Sequence, residues 1–192
     1  MKRTVFPAIC ILISCIIMLF IPTEAEAAIY EDTLRLHILA ESDTAEDQAM
    51  KILIRDMVLE EYKELFTSGR DIYDVTLRTK EKIEDIEADC NRLIINTGYD
   101  YKAKVSLTEE WYETREYRDF ILPAGIYLSL KIELGTAKGQ NWWCVMYPPM
   151  CLEASLAESN QVYSSSEMRL INKSGYNVRF KILELASAIT SG

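Results

Sequence analysis

Histidine and basic residues are scarce in this chain. Its 192 residues include one His and 21 Lys or Arg against 30 Asp or Glu, which gives a formal net charge of -9. Because proteins that bind nucleic acid cluster Lys and Arg to release counterions from phosphates, this acidic chain is not expected to bind nucleic acid. A single His excludes a His-rich metal site within one chain and leaves His37 as the sole imidazole for acid-base chemistry. We therefore expect no metal and no cofactor.

Long apolar runs are also scarce. Charged residues make up 27% of the chain, which excludes a membrane protein with many spans, and the one long apolar run extends from Val5 to Ile21. Lys2 and Arg3 precede this run, and an Ala25-Glu26-Ala27 cleavage pattern follows it. A basic start, an apolar stretch and small residues at the cleavage site predict a signal peptide over residues 1–27.

Two alternatives to a cleaved signal remain. The apolar run is long enough to serve as an uncleaved membrane anchor. The sequence from Leu12 to Cys15 also fits a lipoprotein signal, in which a Cys is lipidated and becomes the new N-terminus. Lipidation at Cys15 would leave the apolar residues 16–21 where a polar tether is expected, so we favour the signal peptide or the anchor.

Removal of the 27 signal residues from 192 leaves 165, enough for one extracytoplasmic domain over residues 28–192. A chain of this length buries roughly 70% of its unfolded surface, so its core does not depend on cross-links. Cys90, Cys144 and Cys151 remain in this part, an odd number of cysteines in an exported chain.

The hydrophobic periodicity changes along the exported part. Residues 33–40 alternate between apolar and polar side chains and predict a half-buried strand that includes Arg35 and His37. Ser42, Asp43 and Thr44 then offer N-cap side chains, with Glu46 three residues after Asp43 as in a capping box. One helix is predicted from there to about Phe66, and a second follows through residues 75–94 and ends at Gly98.

The second half of the chain favours strands. Alternating apolar residues at 103–107 and 127–134, and the segment 142–147, predict an antiparallel meander because short connections favour antiparallel neighbours. The Ser-, Asn- and Glu-rich segment 152–175 predicts a loose excursion, and residues 177–189 predict a short C-terminal helix. We therefore predict an α+β fold with an N-terminal strand, two antiparallel-packed helices, an antiparallel sheet of about four strands and a short C-terminal helix.

No segment carries an enzyme signature. His37 lies in an alternating strand, where a lone His is more often structural than catalytic, and no nucleophile-elbow pattern supplies it with a partner. The Gly135–Gly139 segment lacks the phosphate-loop spacing and is typical of a turn. The acidic pairs Glu60-Glu61 and Glu109-Glu110 are typical of solvated surface, since paired catalytic carboxylates need different environments across a cleft.

The most unusual segment is GQNWWCVMYPPMC, residues 139–151. It holds two of the three Trp, two Cys and two Pro within thirteen residues. A disulfide between Cys144 and Cys151 would contribute on the order of 2 to 3 kcal/mol and leave Cys90 as a buried, inert thiol. Adjacent strand residues point to opposite faces, so one of Trp142 and Trp143 is expected to face outward as an anchor for a protein partner. The alternative is that both Trp fill the core and both Cys stay reduced.

Several blocks of this sequence resemble one known family. LRLHILAESD, an EDQ-initiated helix, LPAGIY, KGQNWWCV, PPMC and VRFKILEL occur in the order typical of stage II sporulation protein R. Glu41 departs from the smaller polar residue expected in that family, and Met146 and Met150 replace other hydrophobic residues. The similarity extends over most of the chain, from Leu34 to Leu185.

The resemblance implies a signalling protein of endospore formation, made in the forespore and exported into the space between the two septal membranes. There it is expected to activate a membrane-embedded aspartic protease that removes the pro-sequence of the mother-cell sigma factor. The chain itself would not be an enzyme, would need no small-molecule substrate, and could contact the membrane through its signal or anchor. The alternative is a secreted cell-wall enzyme that uses the Cys144 region or acidic residues.

The resemblance implies no catalytic residues in this chain. We therefore predict only partner-contacting or structural roles for the segments 34–43 and 139–151. The residues predicted to contact a partner are His37, Gly139, Gln140, Asn141, Trp142, Trp143, Pro148 and Pro149.

Overall fold

The computed structural model describes residues 2–18, 21, 23–117, 120–150 and 163–171. Its helices are α1 (Lys2–Met18), α2 (Glu24–Glu31), α3 (Ala45–Glu61), α4 (Lys63–Thr67), α5 (Ile72–Asn96) and α6 (Ser165–Ile171). Its strands are β1 (Leu34–Leu39), β2 (Ala103–Tyr112), β3 (Arg115–Glu116), β4 (Ile121–Leu122), β5 (Gly125–Leu134) and β6 (Asn141–Tyr147). This mixture of helices and sheet confirms the predicted α+β class.

The chain divides into two compact units. One unit contains residues 1–29, 112–125 and 165–192, and the other contains residues 30–111 and 126–164. The second unit holds the four-stranded sheet in the order β2-β5-β1-β6, together with α3, α4 and α5. The candidate functional residues predicted from the sequence belong to this second unit.

The core of the second unit lies between the helices and one face of the sheet. Leu36 and Ile38 from β1, with Leu130 from β5, are completely buried there against Ile54 of α3 and Ile86 of α5. The alternating residues of each strand and the three- and four-residue spacing of each helix bring these side chains to one side, as the sequence periodicity requires.

The sheet is mixed, which corrects the predicted antiparallel arrangement. β1 lies between β5 and β6, parallel to β5 and antiparallel to β6. The chain between β1 and β5, which includes helices α3 to α5 and strands β2 to β4, supplies the long crossover that parallel neighbours need. The short connection between β5 and β6 does not join adjacent strands, so residues 135–140 pass over the end of β1.

This central position makes β1 more buried than predicted. The half-buried strand was expected to expose Arg35 and His37, yet Arg35 is completely buried and its guanidinium carbon lies 4.9 Å from the centre of the Tyr127 ring. A guanidinium over an aromatic ring is stabilised by the negative ring face. A strand with neighbours on both sides and covered faces retains little exposed surface.

The first predicted helix is interrupted at Tyr62. Its backbone amide still donates to the Val58 carbonyl, but its φ of -106° and ψ of 13° separate α3 from α4. The Tyr62 hydroxyl donates to Asp89 Oδ2 of α5 at 2.7 Å, which ties the break to the second helix. Helix α5 begins after the N-cap Asp71 and is followed by Gly98 at φ 88°, close to the predicted bounds.

The first unit contains shorter elements. Strands β3 and β4 pair antiparallel, and the Tyr117 and Phe120 rings stack with their centres 4.4 Å apart in the connection between them. Helix α6 lies within the Ser-, Asn- and Glu-rich segment, where the sequence predicted no element, and packs near β4. The predicted C-terminal helix over 177–189 lies outside the described residues.

Helix α2 begins at a reciprocal cap. Glu26 accepts a hydrogen bond from the Thr23 backbone amide at 2.7 Å, and Thr23 Oγ1 accepts one from the Glu26 amide at 3.3 Å. This capping box places the predicted Ala25-Glu26-Ala27 cleavage pattern inside helix α2. None of the helices that the structure describes is both long and apolar enough to span a membrane.

Candidate functional site

The two sequence blocks singled out above pair directly with each other. Strand β1 carries the first block and β6 the second, and their register places Leu36 beside Cys144, His37 beside Trp143 and Leu39 beside Asn141. The register shifts by one residue near Leu34, where Tyr147 rather than Met146 is the partner. The predicted residues therefore converge on one part of the sheet although about a hundred residues separate them in the chain.

Hydrogen bonds also join the loops beyond the ends of these strands. The Gly139 amide donates to the Ala40 carbonyl at 2.9 Å, and the Gln140 amide donates to Asp43 Oδ1 at 2.7 Å. The Glu41 carboxylate accepts from both the backbone amide and the hydroxyl of Thr136. We call this arrangement of residues 40–43 and 136–140 the loop junction. Glu41, a departure from the family pattern, is therefore a structural residue of this junction.

Gly139 is required by the closeness of the two loops. A Cβ atom at this position would lie 2.2 Å from the Ser42 carbonyl oxygen, a backbone atom that cannot rotate away. Gly135 begins the same connection with φ at 56°, a left-handed conformation that glycine adopts without steric cost. The glycines of this segment thus form a turn, as predicted, and Gly139 permits close contact with the loop that follows β1.

Lys51 connects helix α3 to the loop junction. Its ammonium group donates to the Gln140 carbonyl at 2.9 Å and to Gln48 Oε1 at 2.6 Å, and its side chain is buried. Burial lowers the pKa of Lys51, and the nearby charge of Asp43 acts in the opposite direction. A buried lysine held by a main-chain carbonyl fixes the position of the residues that lead into β6.

The N-terminus of α3 is capped one residue later than predicted. Thr44 Oγ1 accepts from the Asp47 amide at 3.3 Å, so Thr44 rather than Asp43 is the N-cap. Asp43 points to Gln140 instead, which removes it from the helix. The Asp47 carboxylate accepts hydrogen bonds from Ser42, Thr44 and Tyr101, and the bond from Ser42 contributes most to the lowered pKa of this carboxyl.

His37 lies on the face of the sheet opposite the helices. Its Nδ1 is 3.0 Å from Glu110 Oε2 of β2 and its Nε2 is 3.0 Å from Asn141 Oδ1. The imidazole also stacks on the Trp143 ring, with centres 5.5 Å apart and planes inclined by 21°. Only 12% of its side chain is exposed. The ring is therefore fixed by three neighbours from two other strands.

Charged residues of β5 extend this group. Lys131, in register with His37, has its Nζ 3.3 Å from Glu110 Oε1 and 3.4 Å from Glu133 Oε1. Burial acts to raise the pKa of Glu110, but hydrogen bonding and charge from His37 and Lys131 leave that pKa below its usual value. Burial likewise acts to lower the pKa of Lys131, and the two carboxylates raise it overall. We call His37, Glu110, Lys131, Asn141 and Trp143 the imidazole cluster.

The geometry of this cluster suits a rigid surface better than acid-base catalysis. A catalytic imidazole needs one nitrogen aimed at the reacting group, whereas both nitrogens of His37 contact oxygen atoms of the protein. Glu109 is exposed and Glu110 is partly buried, as expected for adjacent strand residues on opposite faces. Glu60 and Glu61 are exposed near the end of α3. Within the described ranges, no group of His, Cys, Asp and Glu could hold a metal ion.

The two adjacent Trp side chains occupy opposite faces of β6. Trp142 packs against the helix-side core, with the Arg55 guanidinium carbon 5.2 Å from the centre of its ring. Trp143 lies on the other face against His37. Both side chains are half-buried. Trp143 is the one on the face of the sheet away from the helices. Its contact with a partner stays a prediction.

The cysteines have different environments. Cys90 is a free, completely buried thiol in α5, and burial raises its pKa to about 12. A thiol of this kind forms very little of the reactive thiolate at neutral pH. Cys144 is buried and disulfide-bonded, so it offers no free thiol. Cys151 lies outside the described residues, and its pairing with Cys144 stays a prediction.

The other predicted contact residues differ in accessibility. Gln140 and Asn141 are exposed, and Gly139 is half-buried within the loop junction. Pro148 and Pro149 are buried beyond the end of β6, where the Tyr147-Pro148 peptide bond is cis. Of the predicted residues, Gln140 and Asn141 therefore offer the most accessible surface, with Trp143 and His37 beside them on β6 and β1.

Sequence reasoning missed three residues that shape the site. Lys51 and Lys131 occupied polar positions of a predicted helix and a predicted strand, and Glu110 lay beyond the strand predicted at 103–107, so all three resembled solvated surface. Glu110 was considered only as part of an acidic pair, because 73 residues separate it from His37. The partner strand could not be identified without the order of the sheet.

Comparison with known proteins identifies the family. The stage II sporulation protein R family matches residues 30–157, a range that includes the loop junction and the imidazole cluster. Stage II sporulation protein R of Bacillus subtilis (strain 168) is 34% identical over 124 residues, which cover 63% of this chain and 54% of the relative. The chain thus spans about half the length of that curated relative, and no solved structure matches it. On these matches, the chain belongs to the stage II sporulation protein R family, a family of sporulation proteins.

Proposed function

We propose that this protein is an exported signal of endospore formation. On this proposal it is made in the forespore, enters the space between the two septal membranes and binds a membrane-embedded aspartic protease. The bound protease then removes the pro-sequence of the mother-cell sigma factor. Family membership supports the sporulation role, and the basic start with its apolar run supports export.

One observation carries the proposal. The family match over residues 30–157 includes both sequence blocks that meet in the loop junction and the imidazole cluster. These blocks combine exposed polar groups with a half-buried indole, which is typical of the centre of a protein interface. The same blocks offer neither a free thiol at Cys144 nor convergent acidic pairs, which disfavours a wall enzyme built on them.

Activation by binding requires unequal affinity for two states of the protease. A ligand shifts a conformational equilibrium only to the extent that it binds one state better than the other. The imidazole cluster suits this task because its side chains are already held before binding: His37 contacts Glu110, Asn141 and Trp143. A surface that is ordered in advance loses less entropy on association, and more of its contact energy is available to favour the active state.

Processing in a reconstituted system tests the proposal. The purified full chain is added to membranes that carry the protease and its pro-sigma-factor substrate, and the processed form is measured over time. Trp143→Ala removes the indole on the outward face and is expected to reduce the processing rate roughly tenfold, the effect of a moderate interface hot spot. Replacing both Trp142 and Trp143 by Ala is expected to abolish processing.

Two measurements separate a lost contact from a lost fold. Ile95→Ala is the matched control, since Ile95 is an exposed apolar residue near the end of α5 and is expected to leave processing unchanged. Thermal unfolding of each variant reports whether the domain is intact. A wild-type chain that causes no processing would refute the proposed function, and a folded Trp143→Ala chain with normal activity would refute the role of the imidazole cluster.

A further inference from the structure

Strand β2 forms one edge of the described sheet, and helix α5 covers the first part of that edge. The Ala103 amide donates to Asn91 Oδ1 at 2.9 Å, and the Val105 amide donates to Glu87 Oε2 at 2.8 Å. Asn91 Nδ2 also donates to the Ala103 carbonyl at 3.3 Å. Side chains from a helix thus satisfy the outward main-chain groups where a neighbouring strand would otherwise bind.

This cover ends after Val105. Main-chain groups of alternate strand residues point the same way, so Leu107, Glu109 and Trp111 direct their amides and carbonyls outward as Ala103 and Val105 do. Within the described sheet no strand lies beyond β2, so no neighbouring strand pairs with these outward groups. Glu109 is exposed, and Trp111 retains 43% of its surface. We call this stretch the 107–111 edge.

A groove lies beside the 107–111 edge. Its volume is about 390 Å³, and it lies between the first turns of α5, the end of α2 and the start of β5. Apolar side chains of Ile72, Ile126 and Leu128 line it together with Tyr73. Tyr73 is 76% exposed and Ile126 is 56% exposed, which is unusual for large apolar side chains on a folded surface.

Carboxylates give the groove a negative rim. Glu31 from α2 and Glu109 from β2 both line it and are both exposed. The chain as a whole carries a net charge of -9, which adds to the negative potential around the groove. A ligand that fits this surface therefore has apolar groups for the walls, cationic groups for the rim and main-chain groups for the open strand edge.

We propose that the groove and the 107–111 edge bind an extended segment of a protein partner that carries both apolar residues and Lys or Arg on one face of the strand. The segment adds as a strand to β2, because an extended peptide can complete the outward hydrogen bonds of a sheet edge. Every second side chain of the segment faces the helix side of the sheet, where its apolar side chains enter the groove and its basic side chains lie near Glu31 and Glu109. This site lies apart from the imidazole cluster and does not depend on protease activation.

The negative charge of the groove favours a basic peptide over an anionic membrane surface or a second copy of this chain. An anionic membrane surface would be repelled by the two carboxylates, and so would a second copy of this acidic chain. A basic, extended peptide is attracted by the same groups and also satisfies main-chain hydrogen bonds that a lipid cannot. A peptide segment is therefore the ligand that agrees with all three features of the surface.

Peptide binding to the full chain tests the inference directly. The probe is the fluorescent peptide Lys-Ser-Val-Ser-Val-Ser-Lys, here called the Val-Lys peptide, which carries Val and Lys on one face of the strand, and its anisotropy is measured during titration. A Val-Glu peptide of the same length and a Val-Lys peptide with N-methylated amides are the matched controls. The Val-Lys peptide is expected to bind at least about tenfold more tightly than either control, since charge and main-chain bonds both contribute.

Three variants locate the binding surface. Glu109→Pro removes one outward amide and is tolerated at a strand edge, and it is expected to weaken binding about tenfold. Glu109→Gln keeps the backbone amide and removes the side-chain charge, and it is expected to weaken binding about threefold. Ile126→Ser removes an exposed apolar wall and is expected to weaken binding about fivefold. Circular dichroism and thermal unfolding identify any variant that fails to fold.

Each other outcome refutes the inference. Equal binding of the Val-Lys and Val-Glu peptides, or unchanged binding by folded Glu109→Pro and Ile126→Ser chains, would show that the groove does not recognise the peptide. Binding of anionic vesicles that Ile126→Ser abolishes would identify a lipid ligand instead. A dimer in light scattering that the same substitution dissociates would identify a second copy. The peptide assay contains no protease, so its failure leaves the proposed signalling function unaffected.

Discussion

The carboxylate of Asp47 joins the loop just before α3 to Tyr101, which is distant in sequence. It accepts hydrogen bonds from Ser42 and Thr44 before α3 and from the Tyr101 hydroxyl, 3.2 Å from Oδ1, before β2. A negative charge in the first turn of a helix is also stabilised by the helix dipole. Residues such as Asp47 stabilise the loop junction, because a single carboxylate accepts hydrogen bonds from several donors.

Replacement of Asp47 by Asn tests this role through pH. The folded state lowers the pKa of Asp47, chiefly through the Ser42 hydrogen bond. Its stabilising effect is therefore present above the pKa of the unfolded chain and is lost as pH falls through the folded pKa. At pH 7, we expect Asp47→Asn to reduce the free energy of unfolding by about 1 to 3 kcal/mol, the usual effect of losing hydrogen bonds to a charged group.

Urea unfolding at several pH values measures this effect. The difference between wild type and Asp47→Asn is expected to shrink progressively on acidification. Asp100→Asn changes an exposed carboxylate in the connection before β2 and is expected to alter stability by less than about 0.5 kcal/mol at pH 7. A wild-type advantage that persisted unchanged at strongly acidic pH would show that the charge of Asp47 is not responsible.

Side chains of α5 determine which part of strand β2 is open at its edge. The apolar positions of α5 pack against the core, whereas Glu87 and Asn91 bind the main chain of β2. The same helix contributes Ile72 and Tyr73 to the groove near its other end. One helix thus closes the beginning of the sheet edge and lines the groove beside the remainder.

Asn91→Ala tests the closing contact between these elements. The substitution leaves the Ala103 amide and carbonyl without their side-chain partner, and Ala103 is buried. An unsatisfied buried main-chain group is costly, so we expect a loss of about 1 to 3 kcal/mol in the free energy of unfolding.

Chemical denaturation is the measurement, with Asn96→Ala as the control. Asn96 is an exposed residue at the end of the same helix, and its replacement removes an amide of equal size. Equal stability of the two variants would mean that the Asn91 contacts do not hold β2.

For the molecule as a whole, the disulfide at Cys144 agrees with the proposed export. Disulfides persist in oxidising compartments outside the cytoplasm, and Cys144 is disulfide-bonded in the middle of β6, the strand that carries most of the predicted partner surface. Cys90 remains a buried free thiol. An exported domain with one bridge and one inaccessible thiol would resolve the odd number of cysteines that follow the predicted signal.

A non-reducing peptide map of the exported chain tests the pairing. We expect a linked peptide that contains Cys144 and Cys151 and an unlinked peptide that contains Cys90. Reduction, or Cys144→Ser, is expected to lower the free energy of unfolding by about 2 to 3 kcal/mol, because the bridge restricts the unfolded chain. A Cys144–Cys90 linkage in the map, or reduced Cys144 in the exported protein, would contradict the prediction.

The sequence by itself determined the main helices and strands of the second unit. Apolar spacing at 75–94 predicted α5, and alternation at 33–40 and 127–134 predicted β1 and β5, because these patterns depend on residues that are near one another in the chain. The family resemblance likewise depended on short blocks such as KGQNWWCV, which the comparisons confirm as stage II sporulation protein R. The cap of α3 was predicted one residue too early because several adjacent side chains could serve.

Only the tertiary structure decided how these elements meet. The insertion of β1 between β5 and β6 brings His37 beside Trp143 and Lys131, and it forces residues 135–140 over the end of β1. Pairings between residues about a hundred positions apart depend on which elements pack together in the whole chain, and the local periodicity of the sequence does not show this. The same global packing buries Arg35 and Lys51, so two residues with the sequence character of solvated surface become part of the interior.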